Sequence, residues 1–587
     1  MRRFGRILVG SLAFIGLVVI LITGGAIWAL TAMDGRLEPR LPKHMVLALD
    51  LEAKFQEIAS SDPLAALSGE QSYVLRQVVA AIDHAAADER VGGLFATLGD
   101  SHLSLAAAQE IADAVGRFRA SGKPAVAFAE TIGEGGNGTV AYTLASSFSQ
   151  IWLQPSGEVG LIGFAAETPF VKGALDLLGI LPQMSGRKEF KSAIESFTET
   201  KYSPAHALAL NALLDSWSGQ SIGAIAKGRN MGEDKVRALF GKGPFLASEA
   251  LSSGLVDHLG YRDEAWKAAG GADKPGDEVD VAEYASRLPK GEGAHVAVIV
   301  GSGAISRGEE DSPLGGEANF GAATVAGALR AAIDDPAVKA ILFRVDSPGG
   351  SYVASDTVWH EVTRARAAGK PVVVSMAGVA ASGGYFVAMG ADRVVAEPAT
   401  ITGSIGVFSG KMVLADFWPK LGVSWDGLKR GDNADMMSAN QPFSAAAWDR
   451  LNRTLDAIYE DFTTKAAKGR NMAPERLEEL AKGRIWSGAD AKARGLVDAL
   501  GGWDQAQKEV RGLLKLAPDA PLNLIAFPKP QPPWKKLAKV LNGSSLAEDE
   551  GVRSLLRVAK VLAPLAASLE AAQPQAGTLR MTPPVQP

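Results

Sequence analysis

The stretch AIDDPAVKAILFRVDSPGG (332–350) reads as a helix end, a short link, an apolar β-rich run and a glycine turn. The run at 340–345 has the length and character of a strand buried in a parallel sheet. Asp346-Ser347-Pro348-Gly349-Gly350 closes that strand and opens the helical stretch 355–368. Working outward, apolar runs at 296–300 and 371–376 alternate with the helical stretch 324–333. Strand-helix alternation predicts parallel strands joined by crossover helices. Upstream, AIDHAAADERVGGLFATL (81–98) resembles AIDDPAVKAILFRV (332–345) after a short gap.

That resemblance is one of several in fixed order. GKPAV (122–126) recurs as GKPVV (369–373), KGRNM (227–231) recurs at 468–472, and GLVD (254–257) recurs at 495–498. QPSGEVGLIGF (154–164) resembles EPATITGSIGVF (397–408). The spacing stays near 241–247 residues, which excludes chance matching of small residues. The chain therefore carries one α/β domain twice, at about 44–265 and about 295–505, joined by a linker at 266–293 rich in Gly, Asp, Glu and Lys.

Residues 7–30 contain no charge and, at about 1.5 Å per residue in a helix, are long enough to cross a bilayer. Arg2, Arg3 and Arg6 precede them and Trp28 lies near the far end. The positive-inside rule then keeps the N-terminus in the cytoplasm and sends the body across the membrane. A cleaved secretory signal is the alternative, although its apolar core is usually shorter. The expectation is a cytoplasmic N-terminus and transmembrane anchor at 1–33. The extension 506–587 contains a proline-rich break at 527–534 and amphipathic patterning at 535–570 that suits docking helices or contact with a membrane surface. Its last residues read as disordered.

Among the 587 residues, 60 are basic and 65 acidic, a balance that argues against a nucleic-acid surface. There is no cysteine, so disulfides, thiol nucleophiles and thiolate metal sites are excluded. The seven histidines form no HxH or HxxxH pair. No cofactor is expected.

The chemistry is concentrated in small-residue turns of the second copy. Ala381-Ser382-Gly383-Gly384-Tyr385 follows the run PVVVSM, and its small residues would let a substrate approach the Ser382 hydroxyl. Amide groups at Gly349 or Gly350, beside a helix start, suit a negatively charged oxygen, and Gly383 is a second donor. Thr402-Gly403-Ser404-Ile405-Gly406 supplies another hydroxyl. The first copy has Thr139 at the position of Ser382 and Leu161 at that of Ser404, but it carries Phe190-Lys191-Ser192-Ala193 where the second copy has no matching lysine. One copy keeps a nucleophile and the other a base, the pattern that a site shared between two half-domains leaves. Lys191 sits beside Phe190 and Ile194, which fits partial burial, whereas Lys188 lies in a charged run and reads as a solvated side chain.

FKSA (190–193), SPGG (347–350), ASGGY (381–385) and TGSIG (402–406) resemble, in order and spacing, the motifs of the long, duplicated form of signal peptide peptidase A. The resemblance covers roughly 1–505. It implies a tandem ClpP/crotonase-like fold and a membrane-bound serine peptidase with a Ser/Lys dyad. By the same resemblance Lys191 is the base, Ser382 the nucleophile, Ser404 the residue that orients the lysine, and Gly349 and Gly350 the oxyanion turn. It further implies cleaved signal peptides as substrates and a homotetramer.

A serine hydroxyl needs a base, and lysine serves only when neutral, so its pKa must fall from about 10.4 to about 7–8. Burial can supply that shift. A histidine triad through His360, on the helix after SPGG, is the rival arrangement. Two other classes compete: a crotonase-type acyl-CoA enzyme, which leaves the split lysine unexplained, and a non-catalytic scaffold on a peptidase fold.

Overall fold

The computed structural model describes residues 41–58, 72–100, 103–271, 277–289, 291–310 and 319–528. The expected anchor at 7–30 and the amphipathic stretch at 535–570 lie outside these residues. Among the described residues no helix is long and apolar enough to cross a membrane.

Two parallel sheets form the frame. In the first, the strands run in the order His258–Leu259, Gln150–Leu153, Ala125–Ala129, Val91–Thr97, Met45–Asp50 and Glu278–Asp280. The second repeats that order with Ala499–Leu500, Arg393–Ala396, Val372–Ala381, Val338–Ser347, Ala294–Ser302 and Leu522–Phe527. A further branch adds Ile401–Gly403, parallel to the distal half of Val372–Ala381, and then Ile485–Ser487 antiparallel to it. The central strands are buried along most of their length, as both faces of a parallel sheet must be.

The duplicated sequence motifs act as brackets within each copy. The lysine of each GKP motif donates to two carbonyls at the end of the helix before the last, Leu75–Ala87 or Ala322–Asp334: Lys123 to Ala85 and Asp88, Lys370 to Ala332 and Asp335. The arginine of each KGRNM motif pairs with the aspartate of GLVD, Arg229 with Asp257 and Arg470 with Asp498. Each of those aspartates also accepts the backbone N–H that starts the neighbouring strand, Ile151 or Val394. Tyr142 and Tyr385 donate to the carbonyls of Leu255 and Leu496. The helices Pro204–Gly228 and Ala445–Gly469 match in length and are capped alike: Ser203 accepts the His206 N–H, and Ser444 that of Ala447.

The expected domain limits need adjustment. The Gly-, Asp-, Glu- and Lys-rich stretch 266–293 is not only a linker: Glu278–Asp280 is the sixth strand of the first sheet and Val281–Ser286 is a helix packed beneath it. Likewise Leu522–Phe527, beyond 505, is the sixth strand of the second sheet. Both form by pairing with Met45–Asp50 and Ala294–Ser302, and Glu278–Asp280 is only three residues long and polar, so local composition conceals it.

The copies are fused rather than tethered. Strand Leu181–Arg187 of the first pairs antiparallel with Val407–Val413 of the second, from Leu181 opposite Val413 to Arg187 opposite Val407. The core of the first copy continues into Val298, Leu342, Val373, Val395 and Trp503 of the second. At this junction the fully buried Arg344 binds Glu57 through two nitrogens and Glu110 at 2.7 Å, both from the first copy, and donates to Ser375.

Candidate active site

Ser382 stands at the elbow between strand Val372–Ala381 and helix Gly383–Ala388, with φ 54° and ψ −115°. A non-glycine residue at positive φ is strained. Here its N–H donates to the Gly403 carbonyl at 2.9 Å and its carbonyl accepts the Phe386 N–H, so the elbow is held at both ends. The strained turn lifts the hydroxyl off the sheet.

The SPGG turn packs directly on this elbow. Gly349 has φ 107°, and a Cβ there would lie 2.7 Å from the Gly383 nitrogen and 2.8 Å from the Ser382 Cβ. Glycine is required for this close approach. The Gly349 N–H already donates to the Ser347 hydroxyl at 3.1 Å. Among the described residues, no hydrogen-bond partner is found for the N–H groups of Gly350 and Gly383. A Cβ on Gly383 would lie 3.1 Å from the Gly350 nitrogen, so these two amides are neighbours. The arrangement therefore favours Gly350 and Gly383 as the donor pair and gives Gly349 a steric role in place of the expected donor role.

Lys191 arrives from the other copy. Leu181–Arg187 carries the chain along the inter-copy ribbon, and a tight turn then feeds Lys191 into the start of the 3-10 turn Ser192–Ile194. The side chain is buried, at 7% exposure. Its Nζ lies 3.1 Å from the Ser382 Oγ, 2.9 Å from the Ser404 Oγ and 3.0 Å from the Ser404 carbonyl oxygen. Burial pulls its ammonium down to about 7, because desolvation disfavours the charged form. Ser404, at φ 50°, donates its own N–H to the Arg484 carbonyl at 2.7 Å.

The structure thus brings Ser382, Lys191, Ser404, Gly350 and Gly383 together from both copies. The competing groups lie elsewhere. Lys188 is half-exposed and pairs with Glu478. His360 is exposed on helix Tyr352–Ala367, and among the described residues no hydrogen bond joins its ring to Ser382. In the first copy Thr139 is fully buried. Its hydroxyl donates to the Gly163 carbonyl and accepts the Gly163 N–H, leaving it closed to a substrate. Sequence reasoning missed the turn Lys482-Gly483-Arg484, which touches both the lysine and Ser404. The corresponding turn Gly241-Lys242-Gly243 in the first copy was the available signal.

Comparison with known proteins agrees with the duplication. The family model "Peptidase family S49" matches residues 117–274 and again 364–517. "Protease 4" of Salmonella typhi is 35% identical over 473 residues, covering 78% of this chain and 74% of that protein. "Protease 4" of Haemophilus influenzae is 30% identical over 88% of this chain and 86% of that protein. "Serine protease SPPA, chloroplastic" of Arabidopsis thaliana is 28% identical over 88% of this chain and 76% of that protein. With its duplicated family match and these full-length relatives, the chain belongs to peptidase family S49, in the long signal peptide peptidase A form, and is a serine protease.

Proposed function

We propose that this serine protease is a membrane-anchored endopeptidase with a Ser382/Lys191 dyad that degrades apolar peptides, remnant signal peptides among them, on the periplasmic side of the inner membrane. The observation that carries the dyad is the buried Lys191 Nζ, 3.1 Å from the Ser382 Oγ. A neutral amine has two hydrogens and one lone pair. The Ser404 hydroxyl and carbonyl, 2.9 and 3.0 Å away, accept the two hydrogens. That leaves the lone pair for the Ser382 proton.

In the reaction, Ser382 attacks the scissile carbonyl as Lys191 removes its proton. The developing oxyanion meets the N–H groups of Gly350 and Gly383. Lys191 then protonates the leaving amine, and afterwards activates the water that cleaves the acyl-enzyme. A crotonase-type acyl-CoA enzyme would have no use for a buried lysine beside the serine. The anchoring reading rests on the uncharged stretch 7–30 behind three arginines. A homo-oligomer, a tetramer by family resemblance, is supported by apolar side chains left exposed on neighbouring arms of the two copies: Leu177, Leu421, Trp425 and Leu428.

The deciding experiment is hydrolysis of a fluorogenic apolar peptide by the detergent-solubilised chain, with Ser382→Ala and Lys191→Ala alongside. Both variants should fold and lose activity. Full activity in Lys191→Ala would remove the dyad, and an inert wild type across many peptides would favour the scaffold reading.

A further inference from the structure

Three consecutive residues between helix Pro474–Leu480 and strand Ile485–Ser487 touch the two segments that carry the lysine and its orienting serine. The Lys482 carbonyl accepts the Phe190 N–H at 3.1 Å, one residue before Lys191. The Lys482 ammonium also reaches Glu189 at 3.2 Å. Gly483 donates its N–H to the Ile405 carbonyl at 2.8 Å. It lies so close to the lysine backbone that a Cβ would stand 2.6 Å from the Lys191 nitrogen and 2.7 Å from its Cβ. Its φ of 81° is a second reason for glycine there. The Arg484 carbonyl accepts the Ser404 N–H at 2.7 Å. The Arg484 guanidinium lies over the Phe190 ring, 5.2 Å from its centroid, and over Trp486 at 4.1 Å.

We infer that the turn Lys482-Gly483-Arg484 is the positioning element that sets Lys191 and Ser404 against Ser382, an inference that rests on the Ser/Lys reading above. The lysine comes from one copy and both serines from the other, so no short stretch of chain fixes their separation. This turn does so by holding residues 190–191 and 404–405 from a single rigid backbone. The first copy keeps a turn at the same place but bonds it in the opposite sense. Gly241 and Gly243 both donate to the carbonyl of Leu161, the counterpart of Ser404, where no base is present. None of the three residues touches the substrate bond. Their effect passes through Lys191 and Ser404.

The test is steady-state hydrolysis of the fluorogenic apolar peptide by full-length detergent-solubilised protein, from mildly acidic to alkaline pH. The variants are Gly483→Ala, Arg484→Ala and Lys191→Ala. Gly483→Ala pushes the lysine backbone away, and kcat should fall about 100-fold with KM nearly unchanged. The acidic limb of the pH profile should move upward, because a lysine displaced from its buried seat regains hydration. Arg484→Ala keeps the carbonyl to Ser404 but uncovers Phe190, and should lower kcat about tenfold with a smaller shift of the limb in the same direction. A folded Gly483→Ala enzyme with wild-type kcat and an unmoved limb would overturn the inference. Should that variant fail to fold, Arg484→Ala decides: a shifted limb supports the inference and an unmoved limb overturns it. Activity in Lys191→Ala would sink the dyad reading itself. An inactive Lys191→Ala beside wild-type behaviour in both turn variants would sink the positioning role alone.

Discussion

A lysine that titrates near 7 sits in a place where its ammonium is poorly solvated, and two measurable consequences follow for Lys191. Activity through the proposed dyad should rise with pH through about 7, since only the neutral amine can accept the Ser382 proton. A pH–kcat profile flat across that range would contradict it. The same burial costs stability. The unfolded lysine holds its proton up to about 10.4, whereas the folded one releases it near 7, so stability rises with pH between these values. At neutral pH the penalty is roughly 4 kcal/mol, from about 1.4 kcal/mol per pKa unit. Lys191→Met should therefore be inactive yet more stable at pH 7, by about 1 kcal/mol or more, in chemical denaturation. Gly349 shows the opposite balance. Gly349→Ala drives a Cβ to 2.8 Å from the Ser382 Cβ, at a φ that alanine rarely adopts. Its activity should fall by about 100-fold or more while the circular dichroism spectrum stays unchanged.

At the scale of elements, the ribbon of Leu181–Arg187 and Val407–Val413 delivers the lysine. Its register decides where residue 191 falls, because a one-residue slip would turn the following side chains to the opposite face. Gly410 is its tightest point: a Cβ there would lie 2.3 Å from the Gln183 carbonyl oxygen and 2.5 Å from the Met184 Cα. Gly410→Ala must spread the two strands. Activity is expected to drop about tenfold or more while each copy keeps its own sheet, a result readable as lost kcat at nearly constant helix and strand content. Equal loss of activity and secondary structure would mean that the ribbon holds up the fold as a whole.

At the scale of the molecule, the two copies are locked by charge in a buried junction. Arg344 bridges Glu57 and Glu110 with a single positive charge, so Arg344→Met strips both buried carboxylates of their shared counter-charge and should cost about 3–5 kcal/mol in denaturant. Glu397 lies beside this cluster, and among the described residues one of its oxygens has no hydrogen-bond partner. Burial, reinforced by Glu110 and Asp113, holds its pKa well above the ordinary 4.5. A carboxyl whose folded pKa is raised keeps its proton in the native state after the unfolded chain has lost it. Stability then falls as pH rises above 4.5. Glu397→Gln should flatten that decline, seen as a Tm less sensitive to pH than that of the wild type. An unchanged slope would place the pH dependence elsewhere.

The sequence by itself determined the duplication, the α/β alternation and the chemical types at the site. These follow from local pattern: buried runs, glycine turns, and motifs whose lysines, arginines and aspartates bracket one copy at a time. The complementary losses at Thr139 and Ser382, and at Lys191, are likewise visible as residue identities. Tertiary structure alone decided what depends on contacts between segments distant in the chain. It showed that, among the described residues, the amides of Gly350 and Gly383 are without a partner while Ser347 accepts that of Gly349. It also placed Glu278–Asp280 and Leu522–Phe527 in the sheets, since edge strands form through their neighbours. The 3.1 Å between Lys191 and Ser382 belongs to the same class. It is set by a ribbon, a buried ion cluster and a three-residue turn contributed from far apart in the chain, and no local periodicity encodes a separation of that kind.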